Sequence, residues 1–162
     1  MLEFAVETWA DLERDGQDIF KVHYDELALH KDAMPMGLDG TIYLELERLQ
    51  RLLVITARKE GVLVGYYLGI FIPKHPHNKD AGPVATTDMF YILPEHRKGG
   101  AGARLLRFAV DEFRRRGIVV VSLSIKWLRE KESDWQTLRM LDALGWECTD
   151  LVLQKVLMGK AA

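Results

Sequence analysis

A run of small and basic residues follows a strand-forming segment near the middle of the chain. Residues 94–102 read P-E-H-R-K-G-G-A-G and come directly after T-D-M-F-Y-I-L. The proline ends the strand, and a helical pattern starts at Ala101. Backbone N–H groups at a helix start have no intrahelical partners, and the helix dipole adds a positive end. The glycines, with Arg97 and Lys98, therefore predict a site for an anionic group such as a pyrophosphate.

The elements on either side must position this glycine run. From Ala101 to Arg116 the apolar residues fall on one helix face, and Gly117 supplies a stop. The next stretch, I-V-V-V-S-L-S-I, is continuously apolar, which is typical of a parallel strand buried on both faces. Together these segments predict a βαβ unit. The spacing matches neither a P-loop, which needs G-K-[ST], nor the dinucleotide motif GxGxxG.

The N-terminal third of the chain predicts a strand and two helical regions. L-E-F-A-V alternates as a strand does, and Thr8 then provides an N-cap for a helix. Helical spacing of apolar residues continues over residues 17–31, and a second helix is predicted at T-I-Y-L-E-L-E-R-L-Q. The interruption between them, M-P-M-G-L-D-G, is rich in residues that break helices.

Further strands complete the predicted sheet. The charged turn K-E-G joins L-L-V-I-T-A-R to V-L-V-G-Y-Y-L-G-I-F-I as a β-hairpin. Residues 73–83 are rich in turn formers and predict an exposed loop before the strand that leads into the glycines. Near the end, Ser133 is predicted to cap a helix that stops at Gly145. The strand-like segments W-E-C and L-V-L-Q-K-V-L-M close the chain.

Composition limits the classes of protein to consider. The chain has 162 residues, of which 48% are hydrophobic and 28% charged, so residues 1–162 are expected to form a single domain. A net charge of -2 by itself implies neither nucleic acid nor an anionic membrane surface as a partner, and we expect neither. There is no apolar stretch of the roughly 20 residues that span a bilayer and no signal-peptide pattern at the start. We expect a cytoplasmic protein, and the sequence leaves a homodimer open.

Metal binding is not predicted. Cys148 is the single cysteine, which excludes an intramolecular disulfide, and it is expected to serve packing. His75 and His77 alone supply too few ligands for a metal site.

The motif around the glycines resembles that of the GNAT (GCN5-related) N-acetyltransferases. The family pattern [QR]-x-x-G-x-[GA] is matched by Arg97-Lys98-Gly99-Gly100-Ala101-Gly102. Upstream, F-Y-I-L-P-E-H-R is similar to the strand and proline that precede this motif in the family. Downstream, L-D-A-L-G-W resembles the family's Y-x-x-L-G-F. The stretches H-Y-D-E-L-A and D-M-F-Y-I-L-P-E-H-R-K-G are also similar to acetyltransferases of phages and prophages.

This resemblance implies an α/β fold and a cosubstrate. In the GNAT fold a mixed central β-sheet is splayed between strands 4 and 5, here D-M-F-Y-I-L and I-V-V-V-S-L-S-I, with helices on both faces. The resemblance implies that acetyl-CoA enters that cleft. The resemblance implies that its pantetheine pairs with the backbone of Phe90, Tyr91 and Ile92. Its pyrophosphate is expected on the amides from Lys98 to Gly102.

The implied reaction is acetyl transfer to a primary amine of a small molecule or a protein. An amine with a pKa near 10 must lose a proton before it attacks, at roughly neutral pH. Asp88 is the candidate base, because it lies two residues before Phe90 and so on the same strand face. A strand carboxylate occupies this position in several family members. The alternative is that Asp88 orders a loop or binds the ammonium group of the substrate.

Leu141 departs from the family pattern, because many members carry there a tyrosine that protonates the CoA thiolate. Water, Ser124 or Tyr91 could replace it. The departure keeps open a CoA-binding or partner-binding protein with little catalysis, and the phage resemblance keeps open a nucleobase-modifying enzyme. The resemblance also implies that the early helices and the loop before strand 4 wall the acceptor pocket. Its candidate residues are His23, Tyr24, Glu26, His30, His75 and His77, and the carboxylates of Glu26 and Asp88 predict a positively charged acceptor.

Overall fold

The computed structural model describes residues 1–74, 80–126, 131–150, 152, 154 and 155. This part of the chain contains five strands and four α-helices. In chain order they are β1 (Glu3–Val6), α1 (Trp9–Leu27), α2 (Gly40–Arg48), β2 (Leu52–Lys59), β3 (Val62–Ile72), β4 (Val84–Ile92), α3 (Ala101–Arg115), β5 (Val120–Ser122) and α4 (Lys131–Ala143).

The strands form one mixed sheet in the order β1-β2-β3-β4-β5. Neighbours from β1 to β4 are antiparallel, and β5 runs parallel to β4. The predicted βαβ unit, β4-α3-β5, is therefore confirmed. In the described residues β5 pairs with β4 only at Val84–Thr86, whereas β3 follows β4 to Ile92. The sheet thus opens after Thr86, which confirms the predicted splay between strands 4 and 5.

Helices cover both faces of the sheet, as predicted. On one face α3 and α4 pack over a core that includes Tyr67, Leu105 and Phe113. On the other face α1 and α2 pack over Trp9, Phe20 and Tyr66 and their neighbours. Because strand side chains alternate in direction, Tyr66 and Tyr67 belong to opposite cores although they are adjacent in sequence.

Local signals fix several element boundaries. The Thr8 hydroxyl accepts a hydrogen bond from the Asp11 amide at 3.1 Å, which makes it the predicted N-cap of α1. Glu60 and Gly61 both have positive φ, 52° and 81°, which suits the tight turn between β2 and β3. The first predicted helix ends before residue 31, at Leu27.

The prediction that residues 118–125 are buried on both faces is wrong. Val119 and Val120 are each 57% exposed, whereas Val121 and Leu123 pack against the α3–α4 core. The α1–α2 core draws its strand residues from β2, β3 and β4, so in the described structure it does not extend over β5. One face of this segment therefore stays open to solvent.

Three predictions near the C-terminus also need correction. Helix α4 begins at Lys131, so Ser133 lies within the helix instead of capping it. Residues 146–148 are irregular, and Cys148 in this segment is exposed instead of packed. The predicted strand over residues 151–158 lies largely outside the described residues.

Candidate active site

The connection between β4 and α3 is an open glycine turn. A single 3₁₀ turn, Pro94–His96, ends the strand, and Gly99 and Gly100 then adopt positive φ values of 67° and 69°. Gly100 is the N-cap of α3, and within the described structure no side chain caps this helix. A Cβ atom placed on Gly99 or Gly100 would meet no described atom within 4 Å. The unpaired amides at the start of α3 are therefore accessible to an anion.

The Arg97 side chain is directed away from these amides. Its Nε donates to the Ile92 carbonyl oxygen at 2.9 Å, and its two terminal nitrogens donate to the two oxygens of Glu26 at 2.7 Å each. The sequence predicted that the guanidinium charge lies beside the glycines. In the structure the guanidinium is instead paired with Glu26 of α1. Lys98 is exposed, and no described acidic side chain pairs with it.

The edge of β4 beyond Thr86 leads directly to this turn. Phe90 on this stretch packs toward the α3–α4 core, and its ring lies 3.5 Å from a Cβ atom placed on Gly102. Met140 of α4 lies 4.0 Å from the same position. The predicted residues Phe90, Ile92 and Gly102 therefore lie together on one side of the strand, at the opening between β4 and β5.

Asp88 lies on the other face of the sheet from Phe90. The pairing of β3 with β4 shifts register at Leu68 and Gly69, so that Asp88 is the extra residue of a β-bulge. Asp88 is exposed, and its Oδ2 accepts a hydrogen bond at 2.8 Å from the hydroxyl of Tyr43, a residue that packs against the α1–α2 core. The prediction that Asp88 and Phe90 share a face is therefore wrong, because the bulge interrupts the alternation on which it depended.

Tyr43 is a residue that sequence reasoning missed. Its ring stacks on Trp9 with centroids 4.2 Å apart. The pKa of its hydroxyl is raised, mainly by burial and to a smaller extent by the hydrogen bond to Asp88. The phenol therefore stays protonated and holds the Asp88 carboxylate in one orientation. The only sequence signal was an aromatic residue on the apolar face of α2, and nothing local connects it to a strand residue 45 positions away.

A histidine and two tyrosines lie next to this pair. His23 Nδ1 lies 2.6 Å from the Tyr66 hydroxyl, and the imidazole stacks on the Tyr91 ring with centroids 4.4 Å apart. Burial lowers the pKa of His23 to about 4, against the opposing effect of Glu26. The imidazole is therefore neutral near neutral pH.

Glu26 is held by two neighbours. The Tyr91 hydroxyl donates to its Oε2, and Arg97 binds both oxygens. The hydrogen bond from Arg97 is the main cause that lowers the pKa of Glu26. Glu26 was predicted to offer negative charge to an amine acceptor, and in the structure that charge is already paired.

The other predicted acceptor residues are only partly placed. The Tyr24 hydroxyl donates to the Met34 carbonyl oxygen at 2.8 Å, so it supports the connection between α1 and α2. His30 has a φ of 59° and lies in the turn after α1 instead of on the helix. His75 and His77 lie outside the described residues.

Helix α4 does not offer a phenol where many GNAT proteins have one. Leu141 is 8% exposed and belongs to the α3–α4 core. Of its predicted substitutes, the Tyr91 hydroxyl is bonded to Glu26, whereas Ser124 is exposed after β5. Asp134 is buried on the same helix, and its Oδ2 has no hydrogen-bond partner among the described residues.

Among the described residues, no three His, Cys, Asp or Glu side chains gather as a metal site would require. In the same part of the chain, no helix is both long enough and apolar enough to cross a bilayer.

Comparison with protein families gives one assignment. The sequence matches the acetyltransferase (GNAT) family over residues 9–131. That range covers most of the chain and includes the splayed strands and the glycine turn, so the protein belongs to the GNAT acetyltransferase family. Comparison with curated proteins gives no significant match.

Solved structures of acetyltransferases have the same fold. An aminoglycoside acetyltransferase from an uncultured soil metagenomic sample superposes with a TM-score of 0.73 at 13% identity, covering 98% of this chain and 99% of that one. A predicted acetyltransferase from Clostridium acetobutylicum, solved with acetyl-CoA, gives 0.68 at 18% identity and 97% coverage of both chains. A ribosomal-protein-alanine N-acetyltransferase from Brucella melitensis gives 0.65 at 16% identity, with 98% and 100% coverage. At these identities the likeness shows the fold alone.

The state of His23 generates a pH prediction. Its pKa in the folded protein, about 4, is below the value of about 6.5 for an exposed imidazole, so the unfolded chain binds the proton first as pH falls. The free energy of unfolding should therefore decrease between about pH 6.5 and 4, and His23→Gln should lose this part of the decrease. NMR titration of the imidazole measures the pKa directly. A midpoint near the unperturbed value would contradict the prediction.

Proposed function

We propose that the protein transfers an acetyl group from acetyl-CoA to a primary amine. The observation that carries this proposal is that an unpaired strand edge and an open glycine turn lie next to each other on β4. Beyond Thr86 the edge of β4 has no β5 partner in the described structure, and the same strand ends at an open turn of glycines and helix amides. An extended ligand with an anionic group at one end fits this arrangement.

The residues at the junction suit the parts of acetyl-CoA. Backbone groups of Phe90, Tyr91 and Ile92 lie on the unpaired stretch of β4, where a pantetheine chain can pair as an additional strand does. The amides from Lys98 to Gly102 hold the pyrophosphate, with Ala101 and Gly102 in the first turn of α3. Gly99 and Gly100 leave space for its oxygens, and the exposed Lys98 adds positive charge.

Asp88 is the proposed base. The amine nitrogen attacks the thioester carbonyl carbon, the carbon–sulfur bond breaks, and the proton of the amine passes to the Asp88 carboxylate, directly or through water. The hydrogen bond from Tyr43 keeps this carboxylate oriented. Backbone N–H groups of β4 near Phe90 polarise the carbonyl, where negative charge develops during the attack.

No group of α4 is needed as an acid in this scheme. A thiol has a pKa of about 8.5, so the CoA thiolate is a tolerable leaving group without a protein proton donor. Tyr91 is a poor donor, because burial and its bond to Glu26 raise the pKa of its hydroxyl. We therefore assign protonation of the thiolate to solvent.

The acceptor is proposed to be positively charged. Residues 9–48, which form α1, α2 and their connection, contain ten acidic and four basic residues, a net charge of -6. Residues 97–116, which include α3, contain seven basic and two acidic residues, a net charge of +5. Arg97 neutralises the charge of Glu26. The support for a cationic acceptor is therefore the net negative charge of the whole segment that contains α1 and α2. Two structural neighbours are described as acetyltransferases of an aminoglycoside and of ribosomal-protein alanine.

The glycine turn generates the first functional prediction. Gly100→Glu should reduce CoA affinity at least about 100-fold, because the new carboxylate would repel the pyrophosphate at the amides. Gly117→Glu is the matched control, since Gly117 at the other end of α3 has nearly the same φ, 71°, and equally open surroundings among the described atoms. Calorimetry with CoA measures both variants. Equal affinities for the two variants would show that the turn does not bind the pyrophosphate.

A second prediction concerns the base. Asp88→Asn should lower kcat by about 100-fold or more with nearly unchanged CoA affinity, because proton transfer fails while the turn is intact. Tyr43→Phe should cause a smaller loss in kcat, since it removes only the orienting bond. Asp111→Asn, on the exposed side of α3, is the control for loss of a carboxylate. A wild-type rate for Asp88→Asn from pH 6 to 9, about the range over which amines gain reactivity, would leave Asp88 a structural residue.

The charge argument predicts the outcome of an acceptor panel. Polyamines, aminoglycosides and peptides with a free amine should give kcat/KM at least about tenfold above neutral arylamines, and the advantage should shrink as ionic strength rises. Acetyl-CoA turnover measured with a thiol reagent compares them on one scale. A panel in which an arylamine or an anionic amine is the best acceptor would overturn this assignment.

A further inference from the structure

We propose that Glu26 is a positioning residue that fixes the pyrophosphate turn through Arg97. This inference rests on the proposed function and assigns Glu26 to the acetyl-CoA side of the reaction instead of the acceptor side. It follows from what the two side chains bind and from how little else holds the turn.

Three of the five guanidinium hydrogens of Arg97 are used in a fixed geometry. The Nε bond to the Ile92 carbonyl oxygen ties the side chain to the last residue of β4. The paired bonds to Glu26 are both 2.7 Å, the fork geometry in which arginine and carboxylate fit best. The Arg97 side chain, directly before Lys98, is therefore bonded to both β4 and α1.

Glu26 is itself anchored. Its Oε2 accepts a hydrogen bond from the hydroxyl of Tyr91, which is a buried residue of β4. The guanidinium carbon of Arg97 lies 5.2 Å from the centre of the same tyrosine ring, and His23 stacks on that ring. The Glu26 carboxylate thus binds Tyr91 of the sheet and Arg97 of the turn at the same time.

The turn needs an anchor at this point because its own backbone supplies few bonds. The amides of His96 and Arg97 bond to the carbonyl oxygens of Leu93 and Pro94. In the described structure, the amides from Lys98 to Gly100 make no backbone hydrogen bond, and no side chain caps α3. Glycine has more conformational freedom than any other residue, so an unrestrained turn would lose affinity when a ligand orders it.

Two other roles for these residues predict different results. If Arg97 swings to contact the pyrophosphate itself, Glu26 competes for it, and removing the Glu26 charge should leave CoA affinity unchanged or increase it. If Glu26 contacts the acceptor, its removal should raise KM for the amine and spare CoA. Positioning alone predicts weaker CoA binding for Glu26→Gln.

The experiment compares Glu26→Gln, Arg97→Lys, their double variant and a control. Arg97→Lys keeps the charge but loses the fork geometry. Glu7→Gln is the control, because Glu7 makes an equally bidentate pair with Arg58, at 2.8 and 2.7 Å, between β2 and the residues before α1. The measurements are the CoA Kd by calorimetry, KM and kcat for both substrates, and NMR exchange rates of the His96 and Arg97 amides without ligand.

We expect Glu26→Gln to raise the CoA Kd and the acetyl-CoA KM about tenfold with kcat and the amine KM nearly unchanged. Arg97→Lys should have a similar effect, and the double variant should lose no more than either single one. The His96 and Arg97 amides should exchange at least about tenfold faster in Glu26→Gln than in the wild type, and at the wild-type rate in Glu7→Gln.

Wild-type exchange rates in Glu26→Gln would overturn the positioning role, as would a changed amine KM with an unchanged CoA Kd. If the wild-type protein binds no CoA, the proposed function fails, and the exchange rates still decide whether Glu26 fixes the turn.

Discussion

The early end of the pairing between β4 and β5 is the constraint on which the rest of the site depends. After three paired residues the two parallel strands separate, and in the described part of the chain the backbone groups on that side of β4 have no further sheet partner. An exposed strand edge is a template for another extended chain. Because the same strand runs through a 3₁₀ turn into the glycines, the unpaired edge and the unpaired helix amides lie at the same end of β4.

The bulge in β4 divides the chemistry between the two faces of the sheet. On the α3–α4 side, the residues after the bulge, Phe90 and Ile92, are apolar, and Phe90 lies beside Gly102. On the α1–α2 side, Asp88 lies with Tyr43, and the pair of His23 and Tyr66 lies nearby. An extra residue in one strand reverses the side-chain direction for the residues after it. Asp88 and Met89 therefore both face the side of the acidic helices, and the ring of Phe90 lies against the opposite core.

Charge is distributed in the same way. The acidic segment of α1 and α2 and the basic segment of α3 lie against opposite faces of the sheet, and the pair of Glu26 and Arg97 connects them at the end of β4. A partly exposed ion pair of this kind contributes little to stability, typically about 0–1 kcal/mol. Its importance lies in geometry, because the fork of Arg97 holds the chain at the point where the glycine turn leaves β4.

The sequence by itself determined the family and the elements from β1 to α3. Thr8, the K-E-G turn and the proline before the glycines act on nearby residues, so their effects are visible in a short stretch of sequence. The motif from Arg97 to Gly102 also identified the turn itself, since a positive φ at two successive positions favours glycine.

Only the tertiary structure decided what the site side chains bind. The partners of Asp88 and Arg97 lie 45 and 71 positions away in the sequence, on helices that the sheet brings close. Neither contact follows from a local pattern, because both partners are distant in sequence, and the direction of Asp88 depends also on the register between β3 and β4. Burial of residues 118–125 was mispredicted for a related reason. Whether an apolar strand is covered on one face or on both depends on which helices lie over it, and that is a property of the packed chain.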